Sequence, residues 1–284
     1  MQIETFYDAR TWTLTYLVYD EASNDALVID PVLDYDPLRV KVSEESVQRL
    51  MARVRELGLT LRWSLETHAH ADHISAGALL RERYGVKLAI GARITGVVSL
   101  FGGLFGRTDL PQDGSQWDRL LGEGDTLELG GLTVRVLETP GHTPACVTYQ
   151  VGDALFTGDA LFMPDFGTGR CDFPKGSAAD LYRSVQKLYA LPDSTRVFVG
   201  HDYQPGGRPL AYETTIGASK ASNIQLRADT TEEQFVGFRT ARDATLAPPN
   251  LIFQSIQCNI DAGALPPVSP NGQRYLLMPM GIFK

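Results

Sequence analysis

Three imidazoles and one carboxylate fall within six consecutive positions of this chain, as His68, His70, Asp72 and His73. The whole sequence holds five histidines, so only His142 and His201 lie elsewhere. Histidine so concentrated points to a metal, because imidazole nitrogen and carboxylate oxygen together suit zinc, iron or manganese. Side chains two apart on extended backbone share a face, which lets His68 and His70 converge. A helical turn after them is expected to bring Asp72 and His73 round from another side. A solvated polar loop has no need of three histidines at this spacing.

The elements that must hold these residues are legible around them. Residues 61–65 read as a short strand delivering the histidine loop. Residues 132–138 lead towards Thr139-Pro140-Gly141-His142, 154–157 into Gly158-Asp159-Ala160, and 196–199 into Gly200-His201-Asp202-Tyr203. Strand ends on a rigid sheet are where ligands are commonly positioned. Upstream, residues 14–19 and 26–30 read as paired strands around the turn-forming cluster 21–25. Val47, Leu50, Met51, Val54 and Leu57 recur at helical spacing, with Gly58 where a C-terminal cap belongs. Residues 74–84 read as the next helix, stopped by Gly85, and 86–90 as a strand. Residues 91–118 carry Gly102-Gly103, Gly106 and Pro111, with Phe101, Phe105 and Trp117. They read as a loop or short helices near the mouth of the site, with the aromatics exposed or packed over the core.

Residues 125–129 and 132–138 form a hairpin around Gly130-Gly131, and 147–151 pairs with 154–157 around Gly152-Asp153. An amphipathic helix over 180–191 places Leu181, Val185 and Leu188 on one face. Two such halves, strands then helices, predict an α/β fold: a four-layer αββα sandwich over residues 1–212 with the site at one edge. From Glu213 the pattern changes. Residues 213–226 and 232–244 look helical, and Pro248-Pro249, Pro266-Pro267 and Pro270 mark an extended tail. Residues 213–284 are read as a C-terminal extension packed on the same domain, at a subunit interface of a homodimer.

With 284 residues, 43% of them hydrophobic and 21% charged, the chain can bury a full core. A net charge of −8 argues against a nucleic-acid partner held by phosphate contacts. Cys146, Cys171 and Cys258 are few, odd in number and far apart, which implies a reducing compartment without a disulfide framework. Cys146 and Cys171 read as small apolar fillers. There is no basic segment followed by an apolar stretch at the N-terminus and no apolar run long enough to span a bilayer. A cytoplasmic enzyme, without a membrane partner, is the expectation.

The H-x-H-x-D-H run, followed in order by Gly141-His142-Thr143, Gly158-Asp159-Ala160 and Gly200-His201, resembles the metallo-β-lactamase fold superfamily over roughly residues 10–205. That fold hosts many reactions, and the ligand inventory leaves two open. In one, two zinc ions share the site, with His68, His70 and His142 on one, Asp72, His73 and His201 on the other, and Asp159 bridging. Such a pair activates water for hydrolysis. In the other, one Fe(II) is held on a single face by His68, His142 and Asp159, leaving positions open for O2 and substrate.

The combination of Gly158-Asp159-Ala160-Leu161-Phe162, Gly169-Arg170-Cys171-Asp172-Phe173 and Gly200-His201-Asp202-Tyr203 resembles the persulfide dioxygenase family. Tyr212-Glu213-Thr214-Thr215 and Ser255-Ile256-Gln257-Cys258-Asn259-Ile260 are similar to its bacterial, single-domain members. The resemblance implies a non-haem iron enzyme, one Fe(II) per subunit, that oxidises glutathione persulfide with O2 to sulfite and glutathione. It implies His68, His142 and Asp159 as the iron triad. His70, Asp72, His73 and His201 would stand around it or mark a vestigial second-metal position. It implies Arg170 at the glutathione site, with Asp172 placed to anchor it, although the two also read as a structural pair; Tyr203 reads either as a substrate-binding residue beside the iron or as core packing with a bonded hydroxyl. Pro144-Ala145-Cys146 and the insertion at 163–166 depart from mitochondrial-type relatives. No rhodanese-like domain follows, so a separate rhodanese-type sulfurtransferase would carry the sulfur. The alternative is a glyoxalase II-like binuclear thioester hydrolase. That family shows a basic helical C-terminal region, whereas here Lys220, Arg227, Arg239 and Arg242 are scattered among acidic residues.

Overall fold

The computed structural model describes residues 1–282. The chain opens with an antiparallel meander of β1 (Gln2–Asp8), β2 (Thr13–Tyr19) and β3 (Asp25–Ile29). β2 and β3 are buried on both faces, and their run of Leu, Val, Ile and Tyr is that of a central strand. β4 (Val32–Asp36) and β5 (Lys41–Ser43) lead to α1 (Glu45–Glu56), which buries Val47, Leu50, Met51 and Val54. The crossover returns as β6 (Thr60–Glu66), parallel to β3. Then come β7 (Ile74–Ser75), α2 (Gly77–Tyr84), β8 (Lys87–Gly91), α3 (Ile94–Leu104) and β9 (Arg119–Leu121). The first sheet runs β1-β2-β3-β6-β8-β9, and β5-β4-β7 form a small sheet beside it.

The second half supplies β10 (Thr126–Leu129), β11 (Leu132–Glu138), β12 (Val147–Val151) and β13 (Ala154–Phe156). After α4 (Ala178–Tyr189) follow β14 (Arg196–Phe198) and β15 (Glu213–Thr215), and the six strands lie side by side in chain order. α5 (Ile216–Ser222), α6 (Glu232–Asp243) and α7 (Ile252–Asn259) complete the helices. Leu14, Tyr16 and Leu27 of the first sheet and Val136, Tyr149 and Phe198 of the second share one buried cluster, which also takes Leu181, Val185 and Leu188 of α4. Val47, Leu50 and Met51 of α1 and Leu80 of α2 cover the first sheet from the other side. This is the expected αββα sandwich, built because each sheet must bury two apolar faces.

The structure departs from the sequence expectations at four places. Residues 71–73 bend rather than form a helical turn, and α2 begins only at Gly77. Ile74 and Ser75 instead pair with Leu33 and Val32 of β4. Residues 94–104 form one continuous helix rather than a loop, and of the two readings of Phe101, Phe105 and Trp117 it is packing over the core that holds. Burial of Ile94, Val97, Val98 and Phe101 outweighs the cost of Gly102 and Gly103 in the last turn. Glu213 does not start a helix: Thr214 pairs with Val197, so β15 extends the second sheet. The α7 helix was not anticipated as a helix at all, since its apolar positions are few and it follows two prolines.

Candidate metal centre

The ends of four strands meet at one rim of the sandwich. His68 lies just beyond β6, His142 beyond β11, Asp159 beyond β13 and His201 beyond β14. Two tyrosines tie the sheets together where those loops emerge. The Tyr16 hydroxyl donates across the core to the Val199 carbonyl (2.5 Å), and the Tyr149 hydroxyl donates back to the Glu66 carbonyl (2.8 Å). Glycine is needed at two of the exits. Gly158 has φ +49°, and a Cβ there would lie 2.4 Å from Thr67 Oγ1. Gly141 has φ +144°, and a Cβ there would lie 2.4 Å from the Leu181 backbone.

The donor atoms of His68, His142 and Asp159 lie within 4.8 Å of one another, and all three residues are buried. His142 Nε2 is 3.4 Å from Asp159 Oδ2. Their tautomers follow from their other contacts. His142 Nδ1 faces the Arg170 carbonyl at 2.6 Å, and a carbonyl only accepts, so Nδ1 carries the proton and Nε2 offers its lone pair. The Thr67 hydroxyl donates to Asp30 Oδ2 (2.8 Å) and therefore accepts from His68 Nδ1 (3.0 Å), which leaves His68 Nε2 unprotonated. Burial, aided by the neighbouring imidazoles His70 and His142, holds His68 well below the ordinary imidazole range, so it is neutral. His68 Nε2, His73 Nε2 and Asp159 Oδ1 are buried with no hydrogen-bond partner. An unpaired buried polar atom costs about 1–3 kcal/mol, and coordination to a cation removes that cost. The residues fit a metal ion.

A second cluster adjoins the first. His70, Asp72 and His73 also bring ligand atoms within 4.8 Å. His201 Nε2 stands 3.4 Å from Asp159 Oδ1 and 3.6 Å from Asp72 Oδ2, so Asp159 lies between the two groups. Burial would raise the Asp72 carboxyl, but His201 and His73 outweigh it and hold it well below the carboxylate range. All seven residues singled out in the sequence as ligands are therefore gathered at this rim.

Four further residues shape the loop. Asp30 (φ +51°) accepts from the Thr67 amide (2.7 Å) and the Thr67 hydroxyl, and its Oδ1 lies 3.0 Å from His70 Nε2. Glu66 Oε2 lies 3.3 Å from the same imidazole nitrogen. Against a burial penalty, Asp30 and Glu66 raise His70 well above its ordinary value. Thr13 Oγ1 donates to Asp72 Oδ2 at 3.1 Å. Asn259, at the end of α7, donates from Nδ2 to the His70 and His73 carbonyls (2.8 Å each) and accepts from the Ser75 amide (2.8 Å). Those carbonyls would be bonded within a helix; Asn259 satisfies them in its absence. Thr13 and Asn259 carry no local signal in the sequence.

Two cavities open onto the metal cluster and share Arg170. One, of about 580 Å³, is walled by His142, Phe173, Pro248, Pro249 and Ile252 with Arg170 and Asp172. The other, of about 190 Å³, is lined by Asp159, Phe166, Tyr203, Arg239 and Arg242. Arg170 makes a two-pronged pair with Asp172, Nε to Oδ1 and Nη2 to Oδ2 at 2.5 Å each, and Nη1 donates to the Ala247 carbonyl (2.7 Å). Asp172 does anchor Arg170. Tyr203 stacks on His201 with ring centres 5.6 Å apart. Cys146 and Cys171 are buried, and desolvation pushes both thiols up to about 12, which keeps them protonated and unreactive.

The metallo-beta-lactamase superfamily pattern matches residues 13–201. A probable metallo-hydrolase of Burkholderia pseudomallei is 48% identical, with 99% of each chain covered. A beta-lactamase hydrolase-like protein of Agrobacterium fabrum is 47% identical over 99% of this chain, which spans 65% of that protein's length. The mitochondrial persulfide dioxygenase ETHE1 of Mus musculus is 31% identical, covering 94% of this chain and 91% of its own. Among solved structures, ETHE1 from Myxococcus xanthus superposes with a TM-score of 0.75 at 35% identity, covering 93% of this chain and all of that one.

Proposed function

The chain belongs to the metallo-beta-lactamase superfamily, and on that footing we propose that it is a glutathione-dependent persulfide dioxygenase holding one Fe(II) through His68, His142 and Asp159. The observation that carries this reading is the buried cluster of two imidazoles and one carboxylate, with His68 Nε2 and Asp159 Oδ1 unpaired, beside a cavity of about 580 Å³. Similarity to the ETHE1 proteins supports the substrate. In the net reaction the persulfide S–S bond breaks and the outer sulfur loses four electrons to O2. Two oxygens of the sulfite derive from O2 and the third from water, and glutathione leaves with a proton. Held by His68, His142 and Asp159, Fe(II) would supply the O2-binding and redox chemistry.

The chain's own residues prepare that chemistry. The Arg170 carbonyl and the Thr67 hydroxyl fix the tautomers of His142 and His68. Phe173, Pro248, Pro249 and Ile252 give the cavity beside the cluster an apolar wall. Arg170, set by Asp172, offers its remaining N–H groups to a glutathione carboxylate. Arg170→Lys lacks the planar fork, and a charge-assisted hydrogen bond contributes about 1.5–3 kcal/mol. KM for glutathione persulfide is expected to rise by roughly one to two decades with iron content unchanged. Equal kcat/KM in the two proteins would make Arg170 a purely structural partner of Asp172.

A second reading, a binuclear thioester hydrolase, is favoured by one observation: the His70, Asp72 and His73 cluster, with His201 beside Asp159, offers a second ion its ligands. The experiment that separates the two is metal analysis of protein purified without oxygen, followed by O2 uptake and sulfite release on adding glutathione persulfide. One iron per chain and sulfite formation are expected. Two zinc ions with cleavage of a glutathione thioester would install the hydrolase in its place.

A further inference from the structure

We propose that the larger cavity beside the metal cluster takes the apolar body of a thiol, so that persulfides of uncharged alkyl thiols are substrates of the same centre. The inference rests on the persulfide reading for the reacting sulfur and goes beyond it in naming what the rest of the molecule is. His142 lines this cavity of about 580 Å³. Cavities of about 300–1,000 Å³ enclose most of a small organic ligand, so the body of such a thiol fits while its sulfur lies at the cluster. The wall is apolar and rests on the core. Phe173, Ala178, Leu246, Pro248, Pro249 and Ile252 supply it. Phe173 and Ile252 belong to the buried cluster that also holds Phe101 and Ile256. The Phe173 ring centre lies 5.3 Å from that of Phe101 and 6.3 Å from that of His142, so one apolar surface reaches from the core to the metal ligand.

The charges in this wall are spent on one another. Arg170 is the one Arg or Lys among the lining residues, and it forks onto Asp172. Asp243 pairs with Arg239 and accepts from the Cys171 amide (2.8 Å). Desolvation pushes the Cys171 thiol up to about 12, so it too is uncharged. A tripeptide carrying two carboxylates can set one on Arg170 and finds no cation in this wall for the other. A carboxylate that leaves water without a partner is penalised. A methylene that leaves water against the same wall is favoured, by roughly fourfold in affinity for each one buried. The reaction keeps its balance with an alkyl group in place of the tripeptide. The S–S bond of the persulfide breaks and its outer sulfur gives four electrons to O2. Water supplies the third oxygen of sulfite, the alkyl thiol leaves with one proton, and two protons are released.

The test uses the whole chain, purified with its metal and without oxygen. Binding of ethanethiol, butanethiol, hexanethiol and 6-mercaptohexanoate is measured by calorimetry. O2 uptake is titrated with the persulfide of each and with glutathione persulfide. Affinity is expected to rise by about an order of magnitude with each two-carbon step, and KM for the alkyl persulfides to fall in parallel at unchanged kcat. 6-Mercaptohexanoate should bind no better than ethanethiol, because its carboxylate meets the same wall. Leu246→Asn puts an amide into the wall and should flatten the rise, whereas Leu246→Met should keep it, with thermal unfolding as the check on folding. Affinity independent of chain length overturns the proposal. So does 6-mercaptohexanoate binding as tightly as hexanethiol, or a rise that folded Leu246→Asn leaves unchanged. The two readings fail separately. If the thiols bind with the expected rise and no persulfide is oxidised, the apolar site stands and the dioxygenase falls. If glutathione persulfide is oxidised and the alkyl series shows no dependence on length, the reverse holds.

Discussion

Alanine at His142 or at Asp159 is expected to yield protein that folds but binds almost no metal, with persulfide oxidation lost in proportion. Each is one of three side chains whose donor atoms converge within 4.8 Å. His142 is oriented by the Arg170 carbonyl, and Asp159 follows the chain reversal at Gly158. Altering a group that merely supports a ligand costs roughly 10–100-fold in metal affinity, and loss of a ligand should exceed that. His73→Ala is the control. Its Nδ1 is held by Asp72 at 2.9 Å, and in the mononuclear arrangement it stands outside the triad. It should keep metal within the smaller range. Elemental analysis of the three variants and wild type, purified side by side, decides the matter. If His73→Ala strips the metal as fully as His142→Ala, the single-ion triad is wrong and the second cluster holds an ion of its own.

Asn259→Leu is expected to lower stability and loosen the metal loop together. The side chain is 4% exposed and gives all three of its bonds to the backbone of residues 70–75. Leucine of similar size leaves the His70 and His73 carbonyls and the Ser75 amide buried without partners. Such groups cost about 1–3 kcal/mol each, and neighbouring losses do not add fully. A total of about 3–5 kcal/mol corresponds to a Tm fall of roughly 5–15 °C in a domain of this size. The loop carries His68 on one side of these anchors and His73 within them, so metal should also dissociate faster at temperatures where the variant remains folded. Asn259→Asp keeps the acceptor for Ser75 and removes both donors. It should fall on the same side as leucine, because a buried carboxylate would face two carbonyl oxygens. Normal stability with unchanged metal release in both variants would show that the loop holds its shape without α7.

The residues that carry chemistry were legible before any fold was known. His68, His142, Asp159 and His201 each follow a short β-rich run, and strand ends are local features set by side-chain alternation and by the glycines beside them. The same local rules placed α1 and α4, whose apolar faces recur at helical spacing. They failed at residues 71–75 and at Glu213, where hydrogen bonds to distant segments, Asn259 with β4 in one case and β14 in the other, override what the neighbouring sequence prefers. They left residues 91–118 open between a loop and short helices, because Gly102 and Gly103 weaken a helix that burial against α7 holds.

What only the tertiary structure decided is which charges remain available. By sequence, the resemblance singles out Arg170 with Asp172, while Arg239 and Arg242 both stand close to Asp243 and are not distinguished from each other. In the fold, Asp172 takes the first and Asp243 the second, and the third faces a cavity without a partner. The tautomers of His68 and His142 were decided in the same way, by the Thr67 hydroxyl already committed to Asp30 and by a carbonyl supplied from residue 170. A side chain's type is a property of the chain. Its charge balance and its free lone pair are set by whatever comes within about 3 Å of it, and long-range packing alone determines those neighbours.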